Sequence, residues 1–583
     1  MKHDKSNILH GLAAAPGLAI AVAHLYTKEE IKVIPEDITD IDEALNSLHQ
    51  ALEKSKKELR KVFDLAVDKL GENRAAIFEA QLMILDDPIL IKQIEDRIRN
   101  EKKSPDFIVD DEISKYQKMM RRSSETYLKE RSHDIEDIKQ RIIRNIKKRK
   151  WISRIENDVN VVAPLLTPAD SVLFSRVNVK GYVTDHGGLT SHAAIVARSL
   201  NIPAVVGLHD ATAKIRNGDL IIVDGFHGNV IINPDNDQLN YFKERIEKLS
   251  LLDSELSALK DLPAETLDGR KIKLLANLDL QDEIDLVMQN GAEGIGLVRT
   301  EQIFQEHDIF PEEEEQFKIY KGLAEKLFPN DVTIRTLDIG GDKVLPVDVQ
   351  EPNPFLGWRG VRLLLDNKNL FKKQIRAILR SSIHRNVKMM IPMIASIREI
   401  RESKKLIEEC KQELRNENLQ FDEEIKIGIM IEVPSAAVMA KEYADEVSFF
   451  SIGTNDLIQY LLAVDRGNDI ISNLYQEFHP AVVRTLNHII TEGKSGGVEI
   501  TICGEMAADL IAIPLLVGLG LDAISVSPSA IPFLKRLIRN LNYSEAKRLA
   551  DECLKLRTEP EINHKLKSFY ESKLLDVTKN IFN

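Results

Sequence analysis

Cysteine and long apolar runs are scarce in this sequence of 583 residues, and its 79 basic residues are outnumbered by 92 acidic ones. The three cysteines, Cys410, Cys503 and Cys553, are too few and too scattered for a disulfide framework or a zinc cluster. The formal net charge is −13, whereas general nucleic-acid binders concentrate lysine and arginine. We therefore expect a protein of the reducing cytoplasm that binds no nucleic acid.

No apolar run is long enough to predict a membrane helix. The run at 510–521 is much shorter than the roughly 20 residues that a bilayer requires, and Pro514 interrupts it. The segment 8–26 follows a short basic start and superficially resembles a signal peptide. Pro16 and Gly17 break that segment, so the signal peptide is the less favoured interpretation and we expect no membrane segment.

Glycine is nearly absent between residues 35 and 150, where apolar residues recur three and four positions apart, as in 41–52. This spacing predicts long amphipathic helices, with a hairpin turn at 86–88. We expect a helical bundle at 35–150 that is inserted into an α/β domain. A merely structural insert is the alternative to a partner-binding domain.

Short β-rich runs flank that bundle at 159–163, 179–184, 203–206 and 220–225. Together with the segment 9–26 they predict a compact α/β domain made of residues 1–34 and 151–234. The charged stretch 235–262 predicts a helical linker that ends at Pro263. Such a linker would let one domain swing against another.

The segment from Gly187 to Arg198 combines two glycines, two hydroxyl residues and His192 at the start of a helical pattern. Glycines allow the backbone to approach a ligand closely, and the first turn of a helix favours an anion. An imidazole there is nucleophilic near neutral pH, so His192 could carry a phosphoryl group. A helix-start histidine with only a structural hydrogen bond is the alternative.

Eight mostly β-branched runs alternate with helical patterns after residue 263, which predicts a TIM barrel over 263–583. The active site of such a barrel lies where its strands end. The runs are 272–277, 294–299, 333–338, 387–393, 425–432, 449–454, 499–503 and 523–527.

Polar residues follow these predicted strands in an unusual number. Glu432 and Asp456 could supply oxygen ligands to Mg²⁺. Arg299, Arg335 and Arg466 could hold a phosphate and a carboxylate in bidentate fashion, which suggests a doubly anionic substrate. Each residue also has a structural alternative: Arg335 could pair with Asp338, Glu432 could close a barrel layer, and Cys503 could be packed core.

The histidine segment resembles the phosphohistidine signature of phosphoenolpyruvate-utilising enzymes, and the barrel motifs resemble those of their enzyme I family. The resemblance covers about residues 8–550. One departure is Leu189, where enzyme I would carry arginine; Val298 and Ile458 also depart, where tyrosine and threonine are usual. The barrel motifs are 291–301, 335–343, 353–359, 431–435, 449–457, 463–468 and 503–505.

The resemblance implies that Glu432 and Asp456 bind Mg²⁺ and that Cys503 protonates the enolpyruvate carbon. It further implies that the chain transfers a phosphoryl group from phosphoenolpyruvate to His192 and then to a histidine of the phosphocarrier protein HPr, which docks on the helical domain. A homodimer through the barrel is also implied. The substrate-binding residues that it implies are Arg299, Arg335, Arg359, Asn455 and Arg466.

Two other functions remain as alternatives. A pyruvate phosphate dikinase or phosphoenolpyruvate synthase shares the histidine segment and the barrel, and Leu189 resembles the dikinase version. Those enzymes need a large ATP-binding domain, for which this sequence has no spare region and no glycine-rich nucleotide loop. A regulatory scaffold without turnover is the second alternative, although it would have no need of the proton donor Cys503.

Overall fold

A computed structural model describes most of the chain and divides it into two compact units, Met1–Lys248 and Leu249–Asn583. No helix among the described residues is long and apolar enough to cross a membrane. The described residues are 7–26, 31–70, 72–121, 126–149, 158–174, 178–189, 191–200, 202–279, 284–305, 310–340, 351, 353–468 and 470–575.

The first unit contains one eight-stranded sheet in the order β1-β8-β7-β3-β4-β5-β6-β2. Its middle strands, β3 to β6, run parallel, and the strands on either side are antiparallel to them. The segment that the sequence assigns to this domain without subdividing it, 9–26, contributes to three strands. The strands are β1 Ile8–His10, β2 Leu12–Ala15, β3 Leu18–Leu25, β4 Val159–Ala163, β5 Val179–Thr184, β6 Ala204–Val206, β7 Leu220–Asp224 and β8 Asn229–Ile232.

A helical bundle is inserted between β3 and β4, which are parallel neighbours in the sheet. The predicted turn at 86–88 is present, since one helix ends at Leu85 and the next begins at Pro88 with Asp87 as its N-cap. The bundle helices are α1 Ile41–Leu70, α2 Glu72–Leu85, α3 Pro88–Glu101, α4 Pro105–Arg121 and α5 Thr126–Ile146.

A short helix, α6 (Pro168–Phe174), joins the core of the bundle to that of the sheet. Its Val172 packs with the bundle residues, whereas its Phe174 packs under the sheet. Tyr26, at the end of β3, donates a hydrogen bond of 2.8 Å to Asp170 and meets the Phe174 ring edge-on. The end of the strand that precedes the inserted bundle is thereby linked to the helix that follows β4.

Three further helices complete this part of the chain: α7 (His192–Ser199), α8 (Ala211–Lys214) and α9 (Asn236–Ala258). The last of them coincides closely with the charged stretch for which the sequence predicts a helix. It spans the boundary at Lys248 between the two units.

The second unit is a closed barrel of eight parallel strands, which confirms the predicted TIM barrel. Closure is completed by β16, which pairs with β9 from Ala523↔Lys273 onward. The strands are β9 Lys273–Leu278, β10 Gly294–Val298, β11 Asp331–Arg335, β12 Val387–Ile391, β13 Lys426–Ile431, β14 Phe449–Gly453, β15 Glu499–Cys503 and β16 Ala523–Val526.

Helices cover the outside of the barrel strands and follow them in the chain. They are α10 Ile284–Gln289, α11 Glu301–Gln305, α12 Glu313–Leu327, α13 Val361–Asp366, α14 Lys368–Ser381, α15 Ile397–Asn416, α16 Pro434–Val438, α17 Ala440–Ala444, α18 Thr454–Leu462, α19 Pro480–Ser495, α20 Ile513–Leu519, α21 Ile531–Arg539, α22 Tyr543–Cys553 and α23 Glu559–Lys573.

Neighbouring residues of β14 face opposite layers of the barrel, as strand geometry requires. Phe449 belongs to the interior cluster that contains Cys503, whereas Phe450 packs in the layer between the strands and the helices. The Phe450 ring lies 3.0 Å from the point where a β-carbon on Gly493 of α19 would stand. Glycine at 493 therefore permits this close approach of helix and strand.

We predict that Phe450→Ala destabilises the barrel at β14. Phe450 is fully buried, so removing its ring leaves a cavity and should lower the opening free energy of the β14 amides by about 3–5 kcal/mol. Hydrogen exchange read by mass spectrometry measures this change. Phe328→Ala is the matched control, because Phe328 is 57% exposed and its loss should change the opening free energy by less than about 0.5 kcal/mol. Equal effects from both variants would contradict the packing described here.

Candidate active site

The histidine segment lies in the turn between β5 and α7 of the first unit. His192 is the first residue of α7, and Ser191 caps the helix by accepting a hydrogen bond of 3.4 Å from the Ala194 amide. Gly187 has φ +125°, which a residue with a side chain rarely adopts. Thr190 and the side chain of His192 lie outside the described part of the chain.

Leu189, the departure from the enzyme I pattern, is half-exposed in this turn. Its carbonyl accepts a hydrogen bond of 2.9 Å from the Arg198 guanidinium. A second nitrogen of Arg198 donates to the Ala14 carbonyl at 2.7 Å. Arg198 therefore fastens the turn to β2 and keeps one positive charge near the position where leucine stands in place of arginine.

The carboxyl ends of the barrel strands bring Arg335 and Arg359 together with several carboxylates. Arg335 donates to Glu301 and lies 3.4 Å from an oxygen of Asp338, so the structural ion pair considered above is present. Arg359 donates to Asp338 at 2.9 Å and to Asp456 at 3.3 Å. Asp338 thus bridges the two guanidinium groups.

Charge and burial at this rim shift the titration of its groups. Burial alone would lower the pKa of Arg359, but Asp338 and Asp456 raise it well above its usual range. Glu432 is fully buried, and burial together with the negative charge of Asp456 and Asp338 raises its pKa to about 8. Its Oε1 accepts a hydrogen bond of 2.7 Å from the Met393 amide, which fixes the carboxylate in place.

Two guanidinium groups face four carboxyl groups at this rim, so ionisation of all four would leave an excess of negative charge, and this excess contributes to the raised pKa of Glu432. A cation would offset this excess, and carboxylate oxygens are the ligands that Mg²⁺ prefers. Among the described residues no three histidine, cysteine, aspartate or glutamate side chains are grouped to hold a metal by themselves. The pair Glu432 and Asp456 fits Mg²⁺, which commonly takes one or two carboxylates and completes its shell with water and substrate oxygens.

Arginines at the rim keep donors that an anion could use. The Nε of Arg335 is buried and has no hydrogen-bond acceptor among the described residues. The Arg299 side chain is 38% exposed, and one of its nitrogens donates to both oxygens of Asp279 at 2.9 and 3.1 Å. An incoming phosphate or carboxylate could therefore bind Arg335 and compete with Asp279 for Arg299.

Asn455 and Arg466 meet at Glu505, just beyond the end of β15. Asn455 donates to the Glu505 carboxylate at 3.2 Å and accepts from its amide at 2.9 Å, while Arg466 donates to the same carboxylate oxygen at 3.3 Å. Gly504 has φ +103°, and a β-carbon there would stand 2.2 Å from Thr454 Oγ1. Glycine at 504 thus lets the two loops approach closely enough for these contacts.

Cys503, the last residue of β15, lies in the barrel interior among Leu297, Met390, Met430 and Phe449. Its thiol is 3.5 Å from both the Ser451 hydroxyl, which donates to it, and the Ile452 carbonyl, which accepts from it. Burial raises the pKa of this thiol, so it stays protonated at neutral pH. The residue therefore has the contacts of packed core and the protonation state of an acid.

The sequence interpretation missed three residues that contact this site: Asp279, Tyr460 and Ser451. Tyr460 accepts a hydrogen bond of 3.2 Å from Arg359, and its position one helical turn after Asp456 could have indicated it. Asp279 directly follows β9 and could have been recognised as another polar residue at a strand end. Ser451 lies within a strand, and no sequence signal distinguishes it from a packing residue.

Comparisons with known families match three parts of the chain. Three family models match: "PEP-utilising enzyme, N-terminal" over residues 10–131, "PEP-utilising enzyme, mobile domain" over 155–228, and "PEP-utilising enzyme, PEP-binding domain" over 253–543. The fold and the three matches define the class, that of the phosphoenolpyruvate-utilising enzymes.

Individual relatives narrow the class. The phosphoenolpyruvate-protein phosphotransferase of Staphylococcus carnosus is 42% identical over 95% of this chain and 97% of its own length. That of Geobacillus stearothermophilus is 40% identical over 96% of this chain and 97% of its own length. A solution NMR structure of an enzyme I protein is 41% identical over 42% of this chain and 99% of its own, with a TM-score of 0.38. The chain belongs to the phosphoenolpyruvate-protein phosphotransferase family, the enzymes called enzyme I.

We predict that the native protein resists alkylation of its cysteines at pH 8. All three are buried, and burial raises the pKa of the thiol to about 12 for Cys410, to about 11 for Cys553, and above the ordinary value for Cys503. Because only the thiolate reacts, labelling by iodoacetamide should be slow at pH 8 and should rise as the pH passes these values. Mass spectrometry counts the labels, and protein in urea, which should take up three labels rapidly, is the control. Rapid labelling of Cys503 in the native protein would contradict this assignment.

Proposed function

We propose that the chain transfers the phosphoryl group of phosphoenolpyruvate to His192 and then to a histidine of the phosphocarrier protein HPr, releasing pyruvate. This is the first step of the phosphotransferase system. One observation carries the proposal: a single chain, related to phosphoenolpyruvate-protein phosphotransferases over nearly its whole length, joins a helix-start histidine to a barrel rim of arginines and carboxylates.

Phosphoenolpyruvate carries a phosphate and a carboxylate, and the rim offers planar donors for both. Arg299, Arg335, Arg359, Asn455 and Arg466 bind the substrate. Buried ion pairs hold Arg335 and Arg359 rigidly. Their guanidinium groups therefore keep their orientation while negative charge develops on the enol oxygen that is bonded to phosphorus. Arg299 and Arg466 are partly exposed and exchange a carboxylate partner for the substrate.

Glu432 and Asp456 hold Mg²⁺. When bound, the ion offsets negative charge on the oxygens of the substrate, which is the main electrostatic demand of phosphoryl transfer. Met393 orients Glu432 through its amide. Arg359 fixes Asp456 by a hydrogen bond, and Tyr460 is a further partner of the guanidinium.

Transfer breaks the bond between phosphorus and the enol oxygen and forms a bond between phosphorus and a nitrogen of His192. The enolate that leaves takes the proton of the Cys503 thiol on its methylene carbon and becomes pyruvate. Ketonisation makes the transfer strongly favourable. Burial keeps the thiol protonated until this moment.

His192 must meet phosphoenolpyruvate at the rim and then HPr on the inserted helical domain, so the domain that carries it moves between the two. The moving domain is formed by residues 1–34 and 151–234, and 235–262 is the linker. The inserted helical domain, 35–150, docks HPr, and 263–583 binds phosphoenolpyruvate and forms a homodimer. We place the enzyme in the cytoplasm, where its three cysteines remain reduced.

Incubation with ³²P-phosphoenolpyruvate and Mg²⁺, without ATP, should label the protein with acid-labile phosphate and release pyruvate. His192→Ala should abolish both, because no other acceptor is assigned. The matched control is His209→Ala, since His209 lies in the same unit and outside the proposed machinery, and it should label like the wild type. Labelling from ATP but not from phosphoenolpyruvate would contradict this proposal and favour a dikinase-like enzyme. Labelling from neither donor would favour the regulatory scaffold without turnover.

Glu432→Gln should raise the Mg²⁺ concentration for half-maximal pyruvate release at least about tenfold, because it removes an anionic ligand while conserving shape. Titration of pyruvate release with Mg²⁺ measures the effect. Glu442→Gln, at an exposed carboxylate of α17, removes the same charge and should leave the Mg²⁺ requirement unchanged. If the two variants behave alike, Glu432 does not hold the metal.

A further inference from the structure

A cavity of about 320 Å³ opens at the end of the barrel opposite the catalytic rim, among the first residues of the strands. Lys388 lies in its wall and contacts Asp331 at 2.8 Å and Glu499 at 3.1 Å, while Lys273 contacts the same glutamate at 3.2 Å. Lys273 and Asn330 are exposed, so the cavity is open to solvent at this mouth. Its size and charged lining suit several water molecules.

Ser451 forms part of the wall of this cavity and is itself buried. Thr501, directly opposite on β15, also lines the cavity. Cys503 is two residues further along β15 and therefore faces the same interior. The Ser451 hydroxyl lies 3.5 Å from the Cys503 sulfur, so the Ser451 side chain lies between the cavity and the thiol.

We propose that Ser451 relays a proton from water in this cavity to the Cys503 thiolate after each turnover. The inference rests on the proposed function, in which the S–H bond breaks as a C–H bond forms on the enolate. The Ser451 O–H then breaks as the S–H bond re-forms, while the same oxygen takes a proton from a cavity water. Serine ends unchanged, the hydroxide that remains leaves through the mouth, and one solvent proton has entered the methyl group of pyruvate.

Two contacts make Ser451 the donor in this relay. Of the partners that the described residues give the Cys503 sulfur, the Ile452 carbonyl only accepts, whereas the Ser451 hydroxyl donates. The thiol is also only 3% exposed, so a thiolate formed beneath bound substrate needs an internal source of protons. The cavity supplies one from the side of the barrel that the substrate does not occupy.

Isotope exchange in D₂O tests the relay without any carrier protein. The enzyme is incubated with Mg²⁺, phosphoenolpyruvate and ¹⁴C-pyruvate, and two rates are measured: passage of ¹⁴C into phosphoenolpyruvate, and entry of deuterium into the pyruvate methyl group. In carbon exchange the incoming pyruvate gives one of its methyl protons to the Cys503 thiolate, so no proton from solvent is needed. Deuterium entry requires the thiol to exchange with water, so the ratio of the two rates reports the relay alone.

In Ser451→Ala the ratio of deuterium entry to ¹⁴C exchange should fall about tenfold, while ¹⁴C exchange itself changes less. Ser451→Thr keeps a hydroxyl and should restore the ratio. Thr501→Leu fills the cavity below an intact Ser451 and should also lower it. Ser525→Ala, the matched control, removes a buried hydroxyl that bonds Asn277 on a neighbouring strand and should leave the ratio unchanged.

An unchanged ratio in Ser451→Ala would overturn the relay in either of two forms. If neither rate fell, the thiol would exchange by another route, and if both rates fell equally, Ser451 would have a purely structural role. Absence of ¹⁴C exchange in the wild type is a different result. It would contradict the proposed function itself.

Discussion

The buried excess of carboxylates around Arg335 and Arg359 is the constraint on which the rest of the barrel rim depends. Taking a charge out of water is costly unless it is paired, and one unpaired carboxylate inside a protein disrupts its surroundings. Here Asp338 pairs with both arginines, and Asp456 pairs with Arg359. These ion pairs stabilise the buried charges, yet the carboxyl groups still outnumber the guanidinium groups, which favours binding of a cation.

The barrel turns this local chemistry into a defined geometry. Parallel strands deliver the residues after their carboxyl ends to one rim, so Glu432 follows β13 directly and Asp456 lies in the first turn after β14. Loops then refine the positions, because Gly504 allows the closest approach between the ends of β14 and β15. The opposite ends of the same strands line the polar cavity, and Cys503 lies between that cavity and the rim.

The barrel and the residues at its strand ends could be predicted from the sequence, because both depend on repeated local patterns. Apolar runs bounded by polar residues identify strand ends, and Glu432, Asp456 and Cys503 all occupy such positions. The contacts of Ser451 and Tyr460 could not be predicted from the sequence. Those of Ser451 depend on strand register, and that of Tyr460 depends on which face of α18 meets Arg359. The sequence did not indicate that 8–25 divides into three strands, because the breaks follow from pairing with β8, β6 and β7.

The insertion of the bundle between β3 and β4 has a consequence for how this architecture can diversify. A connection between parallel neighbouring strands is usually a single helix, and here a whole helical bundle takes its place. The hydrogen bond from Tyr26 to Asp170 links the residue after β3 to the helix after β4. Helices inside the insertion could therefore lengthen, shorten or change their surface while every strand keeps its neighbour, so partner recognition and phosphoryl chemistry are free to evolve separately.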